Sequence, residues 1–98
     1  MAGLTFREYD SANYIETEED VRHYLEALFE DGDAAVIAHG LGVIARSKGM
    51  SKIAEKTGLG RESLYKSLSK AGNPEFLTVL KVVQALGLQL TVKQADAA

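Results

Sequence analysis

Apolar residues recur along this chain in five stretches with helical spacing, and the pattern then changes period near the C-terminus. Val21, Tyr24, Leu25, Leu28 and Phe29 fall at i, i+3, i+4, i+7 and i+8, which predicts one buried face of a first helix. Thr17 is placed to cap it, Glu18, Glu19 and Asp20 set carboxylates in the positive first turn, and Gly32 stops it. Asp33 caps a second helix that turns Ile37, Leu41, Ile44 and Ala45 inward and ends at Gly49. Gly40 and Gly42 inside that helix weaken it by ~1 kcal/mol each relative to Ala, and point to close packing against a neighbour. Two short helices follow, Met50 to Thr57 and Arg61 to Ser69, with Gly60 as the N-cap of the second. Lys70, Ala71 and Gly72 form a turn. Asn73-Pro74 then reads as a helix start, the Asn capping and the Pro in the first helical position. Phe76, Val79, Leu80, Val83 and Leu86 are the expected inward face of this fifth helix, and Gly87 ends it.

Beyond Gly87, Leu88, Leu90 and Val92 alternate with Gln89, Thr91 and Lys93, the signature of a short β-strand over 88–94. No other segment reads as a strand, so its backbone needs a partner from outside the chain. The simplest supplier is the same strand of a second copy, which makes Leu88, Leu90 and Val92 the expected dimerisation residues. Residues 1–16 lack helical spacing. They read as an N-terminal arm, with Leu4, Phe6, Tyr9, Tyr14 and Ile15 able to pack on something, ahead of one domain over 17–98. The expected fold class is therefore all-α, with five helices and a short C-terminal β-strand.

The pair of short helices carries the sharpest signal. Over residues 50–69, Ala54 is small where two helices would cross closely, Gly58 suits a reversal needing positive φ, and Leu64 returns an apolar side chain to the shared core. Ile53, Leu59 and Leu68 fill the other inward positions. This is the pattern of a helix-turn-helix, the unit that lays its second helix in the DNA major groove.

Charge is segregated in the same sense. From Arg46 to Lys70 there are seven basic and two acidic residues, a net +5, whereas Met1 to Asp33 holds two basic and ten acidic residues, a net −8. The whole chain has a net charge of −3, which read alone would argue against nucleic acid; the segregation lets one segment meet phosphate while another repels it or meets a basic partner. The 98 residues contain no cysteine, which excludes a disulfide framework or thiolate metal site and fits a reducing cytoplasm. No run is long and apolar enough for a membrane span, and no export signal is expected. Enzymatic chemistry is not expected either. His23 and His39 stand alone, three consecutive acids at Glu18 to Asp20 point in different directions and cannot converge on one ion, and Gly58-Leu59-Gly60 lacks the Gly-Lys-Ser/Thr of a phosphate loop. No cofactor or metal is implied.

If the second short helix enters a major groove, Arg61 and Glu62 occupy its first turn, Tyr65 and Lys66 the next, and Ser69 lies one turn on. Arg61 can take a guanine bidentately, Glu62 can accept from a cytosine amine, and Tyr65 can meet a thymine methyl or a phosphate. Lys52, Lys66, Lys70 and the amides after Asn73 are candidate phosphate contacts, with Ser51 and Ser63 adding hydroxyls.

The stretch GMSKIAEKTGLGRESLYKSLSKAGNPEFLTVLKVVQALGLQLTV, Gly49 to Val92, resembles the HigA-like addiction-module antidote proteins, antitoxins of the Cro/repressor helix-turn-helix type. The GMS entry, the TGL before the second short helix, RESLYKSLS within it, then GNPEF and KVVQALGL carry the resemblance, and YIETEEDVRHYLEAL looks like the family's first helix. The likeness implies a Cro/repressor-like domain that acts as a dimer on double-stranded operator DNA, represses its own operon and neutralises a RelE/ParE-like toxin. It places Arg61, Glu62, Tyr65 and Lys66 at DNA-reading positions. Lys52 stands where glutamine is common, and Gly60 where serine usually caps, which removes one hydroxyl from the expected set. Toxins of that type are basic, so the acidic start of the first helix, Glu18, Glu19 and Asp20, is the expected toxin contact. A stand-alone phage-type repressor without a toxin is the alternative, and a pure protein-interaction module a further one.

Overall fold

The computed structural model describes residues 15–96, and the arm expected over 1–16 lies almost wholly outside them. Five helices follow in order: α1 (Glu18–Asp31), α2 (Ala34–Lys48), α3 (Met50–Thr57), α4 (Arg61–Ser67) and α5 (Phe76–Ala85). Their starts and stops follow local chemistry. At α1 the Thr17 hydroxyl accepts from the Asp20 amide, and the Asp20 carboxylate accepts from the Thr17 amide, a reciprocal capping box. At α2 the Asp33 carboxylate accepts from the amides of Ala35 and Val36 at 2.8 and 3.2 Å. A single residue, Gly49 at φ 98°, separates α2 from α3.

The core is organised around α2. Leu41, Ile44 and Ala45 are fully buried, and α2 packs against α1, α3 and α4. Val21, Leu25 and Leu28 enter from α1, Met50 and Ile53 from α3, Leu64 and Leu68 from α4, and Val82 and Val83 from α5. The glycines of α2 allow this approach. A Cβ on Gly42 would lie 2.2 Å from the carbonyl oxygen of Leu68, at the end of α4, and one on Gly40 would meet the tip of Leu28. The expected apolar faces hold for most positions. Phe29 sits at the margin of its face, 36% exposed, and Phe76, expected inward, is 69% exposed.

Two expectations are corrected. The fifth helix does not start at Asn73-Pro74: Glu75 is its extended N-cap and Phe76 its first residue. The connection from Leu68 is held against α4 instead, where the Gly72 amide bonds the Ser69 carbonyl and a Cβ on Gly72 would strike the carbonyls of Ser67 and Lys66. Nor is there a C-terminal β-strand: among the described residues no strand forms, and 88–94 is irregular. The apolar alternation there has another cause. The Gly87 amide bonds the Gln84 carbonyl and the Leu88 amide bonds the Val83 carbonyl, with Gly87 at φ 84°, so Leu88 is the latch that closes the end of α5. Leu88 and Leu90 pack on the core from above, while Val92 is 94% exposed and points to water. Period two marked two residues laid over a helical core, and a ladder needs a second strand that the described chain does not supply.

Candidate nucleic-acid interface

The turn between α3 and α4 sets the direction of α4, and two residues make it. Gly58 adopts φ 74°, and its amide bonds the Ala54 carbonyl. Thr57 is buried, and its hydroxyl donates to the carbonyl of Ile53 at 2.8 Å while accepting from the amide of Leu59 at 3.2 Å. The hydroxyl thus bridges the last turn of α3 to the first residue beyond Gly58, giving the Leu59 amide the acceptor that the reversal would deny it. Sequence reasoning missed Thr57, because a threonine near a helix end carries no pattern that distinguishes a bridge from a surface residue.

From this turn α4 emerges with one side committed. Leu64 and Leu68 are fully buried, so Arg61, Glu62, Tyr65 and Lys66 are left exposed together on the opposite side. The Arg61 guanidinium lies over the ring of Tyr65, 5.7 Å from its centroid. Such a contact contributes about 0.5–1 kcal/mol at an exposed site, and it orients the planar donor fork. Ser63 is also exposed on α4, and Ser51 on the first turn of α3.

The remaining candidates do not join this face uniformly. Lys52 lies with Lys48 and Lys56 around a shallow cavity lined also by Glu18, Val21, Ile53 and Leu86, on the flank of α3 that meets α1 and α5. Ser69 falls beyond the end of α4, and its hydroxyl donates to the Lys66 carbonyl at 2.9 Å. Lys70 and Asn73 are exposed in the connection to α5, with Asn73 ahead of the helix start rather than at it. The face that the residues form most directly is the four-residue surface of α4: two cations, one carboxylate and one aromatic ring, a set able to donate to guanine, accept from cytosine and contact phosphate.

The acidic start of α1 is partly spent within the helix. The Asp20 carboxylate accepts from the amides of Glu16 and Thr17, and these bonds hold its pKa below the ordinary value of 3.8. Glu19 pairs with Arg22 at 3.7 Å and approaches His23 at 3.9 Å, while Glu18 faces the lysine-lined cavity. The three residues expected to present one anionic surface therefore have three different local partners. Among the described residues no group of His, Cys, Asp or Glu is placed to hold a metal, and no helix is long and apolar enough to cross a membrane.

Comparison with known proteins adds what geometry cannot. Residues 5–94 match a family model described as "probable addiction module antidote protein". An uncharacterized protein of Haemophilus influenzae is 43% identical over 89 residues, spanning 91% of this chain and 92% of that protein. No solved structure matches the chain.

Proposed function

This chain belongs to the family of probable addiction module antidote proteins, and from that membership we propose that it is an antitoxin that both neutralises a toxin and represses its own operon by binding operator DNA through α4. The observation that carries the DNA-binding half is the exposed set Arg61, Glu62, Tyr65 and Lys66, opposite the buried Leu64 and Leu68 on a helix aimed by the Gly58 turn. That is the arrangement a helix-turn-helix uses: one side of the second helix locks into the core and the other reads base edges. Arg61 takes a guanine through its fork, Glu62 accepts from a cytosine amine, and Lys66 and Lys70 meet phosphate. The resemblance of Gly49–Val92 to HigA-like antidotes supports a toxin of the RelE/ParE type, and the excess of acid over 1–33 supports a basic partner.

Two measurements test this reading. A mobility shift on the duplex upstream of its coding region should weaken steeply with salt, because each neutralised phosphate releases counterion. Arg61→Ala should lower specific affinity by ~1–3 kcal/mol while leaving non-specific binding nearly unchanged; equal affinity of variant and parent would remove Arg61 from the reading set. Co-purification with the product of the adjacent gene tests the toxin half, and a chain that binds DNA with no such partner is a stand-alone repressor.

A further inference from the structure

Two arginines of this chain are held in opposite ways. On α1 the donors of Arg22 are taken up by protein: Nη1 bonds the Glu26 carboxylate at 2.9 Å, and Nη2 lies 3.7 Å from that of Glu19. On α4, Arg61 has no ion pair among the described residues, although Glu62 is its neighbour in sequence. Its guanidinium lies over the Tyr65 ring instead, 5.7 Å from the centroid. Arg61, Glu62 and Lys66 each have a target on the duplex in the reading above, and Tyr65 has none.

We propose that Tyr65 is the positioning residue for Arg61: its ring holds the guanidinium on the exposed side of α4, apart from Glu62, so that a guanine meets a donor fork already aimed. The proposal rests on the reading of α4 as a DNA-reading helix, and deepens it by naming a residue that sets its base preference without touching a base. Spacing brings the two together. Residues four apart share one side of a helix. A long helical side chain leans back over the turn that precedes its own Cα, which carries the ring of Tyr65 toward Arg61. The burial of Leu64 and Leu68 keeps that side turned to solvent, with Tyr65 itself 40% exposed. Glu62 follows Arg61 directly, and successive helical residues point in different directions, so the ring is better placed than the carboxylate to hold the cation.

A ring suits this task where a carboxylate does not. The π face attracts the positive charge without accepting a conventional N–H···O bond from each donor. A bidentate carboxylate would take two of the donors that the O6 and N7 of a guanine require, and would cancel charge that the duplex attracts. Arg22 shows that outcome on α1, where its charge is answered by Glu19 and Glu26. Holding Arg61 beforehand matters because freezing a side chain rich in rotamers at the moment of binding costs affinity. Tyrosine supplies the restraint with only two side-chain torsions of its own. Its hydroxyl has no part in this, so phenylalanine should serve as well.

Two measurements on the full chain test this. In the free protein, NMR should find the Arg61 side-chain protons shifted upfield by the ring current of Tyr65, a shift lost in Tyr65→Leu and kept in Tyr65→Phe. Mobility shifts then compare the duplex upstream of the coding region with a shuffled duplex of the same composition. Tyr65→Leu should lower affinity for the first by about two- to five-fold and leave affinity for the shuffled duplex unchanged, and Tyr65→Phe should restore the preference. In an Arg61→Ala background, Tyr65→Leu should cost nothing further, since the ring then has no guanidinium to hold. A phenylalanine variant as weak as the leucine one overturns the proposal, because the hydroxyl would then be meeting DNA itself. A leucine effect of equal size with and without Arg61 overturns it too, because the ring would be acting on a base of its own. Absence of the ring-current shift overturns the contact and leaves the DNA reading of α4 standing. A clear shift in a chain that prefers neither duplex upholds the contact, sinks the DNA reading, and with it overturns the role given to Tyr65.

Discussion

α4 enters from the short turn at Gly58 and leaves into the longer connection from Leu68 to Glu75, and its two ends are held by different forces. At the entry, everything is local: Gly58 takes a left-handed conformation, and the Thr57 hydroxyl ties the Ile53 carbonyl to the Leu59 amide. At the exit, the restraint comes from elsewhere in the chain. α2 approaches so closely that Gly42 touches the Leu68 carbonyl, and the connection folds back so that Gly72 lies on the carbonyls of Ser67 and Lys66. The entry fixes where the helix points, by hydrogen bonds that survive small movements. The exit fixes how deep it sits, by contacts that admit no added atom.

The comparison breaks most readily at the exit. An alanine at Gly42 would put its Cβ 2.2 Å from a backbone oxygen, and no side-chain rotation relieves that. The expected loss is about 2 kcal/mol after the gain in helix propensity, or a fall of roughly 8–16 °C in melting temperature. Gly40 is the matched control, two residues away in the same helix, where the added Cβ meets side-chain atoms of Leu28, its two Cδ atoms and Cγ, rather than backbone. Gly40→Ala should cost less than half as much. Thermal unfolding of the two variants decides the matter: equal losses would mean that the carbonyl contact does not hold α4.

At the entry the effect is smaller. Nothing lies within 4 Å of a Cβ built on Gly58, so Gly58→Ala suffers only from its φ of 74°. The expected cost is about 1 kcal/mol, and the core should be unchanged. Operator affinity should nonetheless fall by more than this loss of stability explains, because relaxing the turn redirects α4. A variant that loses stability and keeps full affinity would show that the turn supports the fold without aiming the helix.

How much of this was legible beforehand follows the same division. The entry was written in the chain: Ala54, Gly58 and Leu64 at their spacing predicted the turn, and the positive φ of Gly58 is there. The exit was half legible. Gly40 and Gly42 announced close packing, but not that one meets a side chain and the other a backbone carbonyl, since that depends on how α2 crosses α4. Asn73-Pro74 has the composition of a helix start, yet the contact of Gly72 with α4 holds the chain out of the helix until Phe76. Phe76, the first residue of that helix, is exposed against its place in the apolar pattern. Leu88 and Leu90 misled for a related reason: alternation reports which residues face a surface, and here that surface was a helical core rather than a neighbouring strand.

A third place in the molecule sharpens the contrast between bonds that titrate and bonds that do not. Thr57 secures its turn with a hydroxyl, so the entry to α4 should be indifferent to pH. Asp20 secures the start of α1 with a carboxylate that accepts from the Glu16 amide at 3.1 Å and the Thr17 amide at 3.0 Å, and these bonds lower its pKa below 3.8. A depressed folded-state pKa contributes stability that is present above the unfolded value of about 3.9 and lost as pH falls through the lower folded value. Asp20→Asn keeps the shape and an acceptor oxygen but removes the charge. It should cause a small loss at pH 7 that shrinks as the solution is acidified below the ordinary carboxylate range, until parent and variant melt together. The Asp20 carboxyl resonance, followed by NMR through the same range, supplies the direct check. A midpoint at or above 3.8 would mean that the two amides do not hold the carboxylate in solution, and that the start of α1 depends on packing alone.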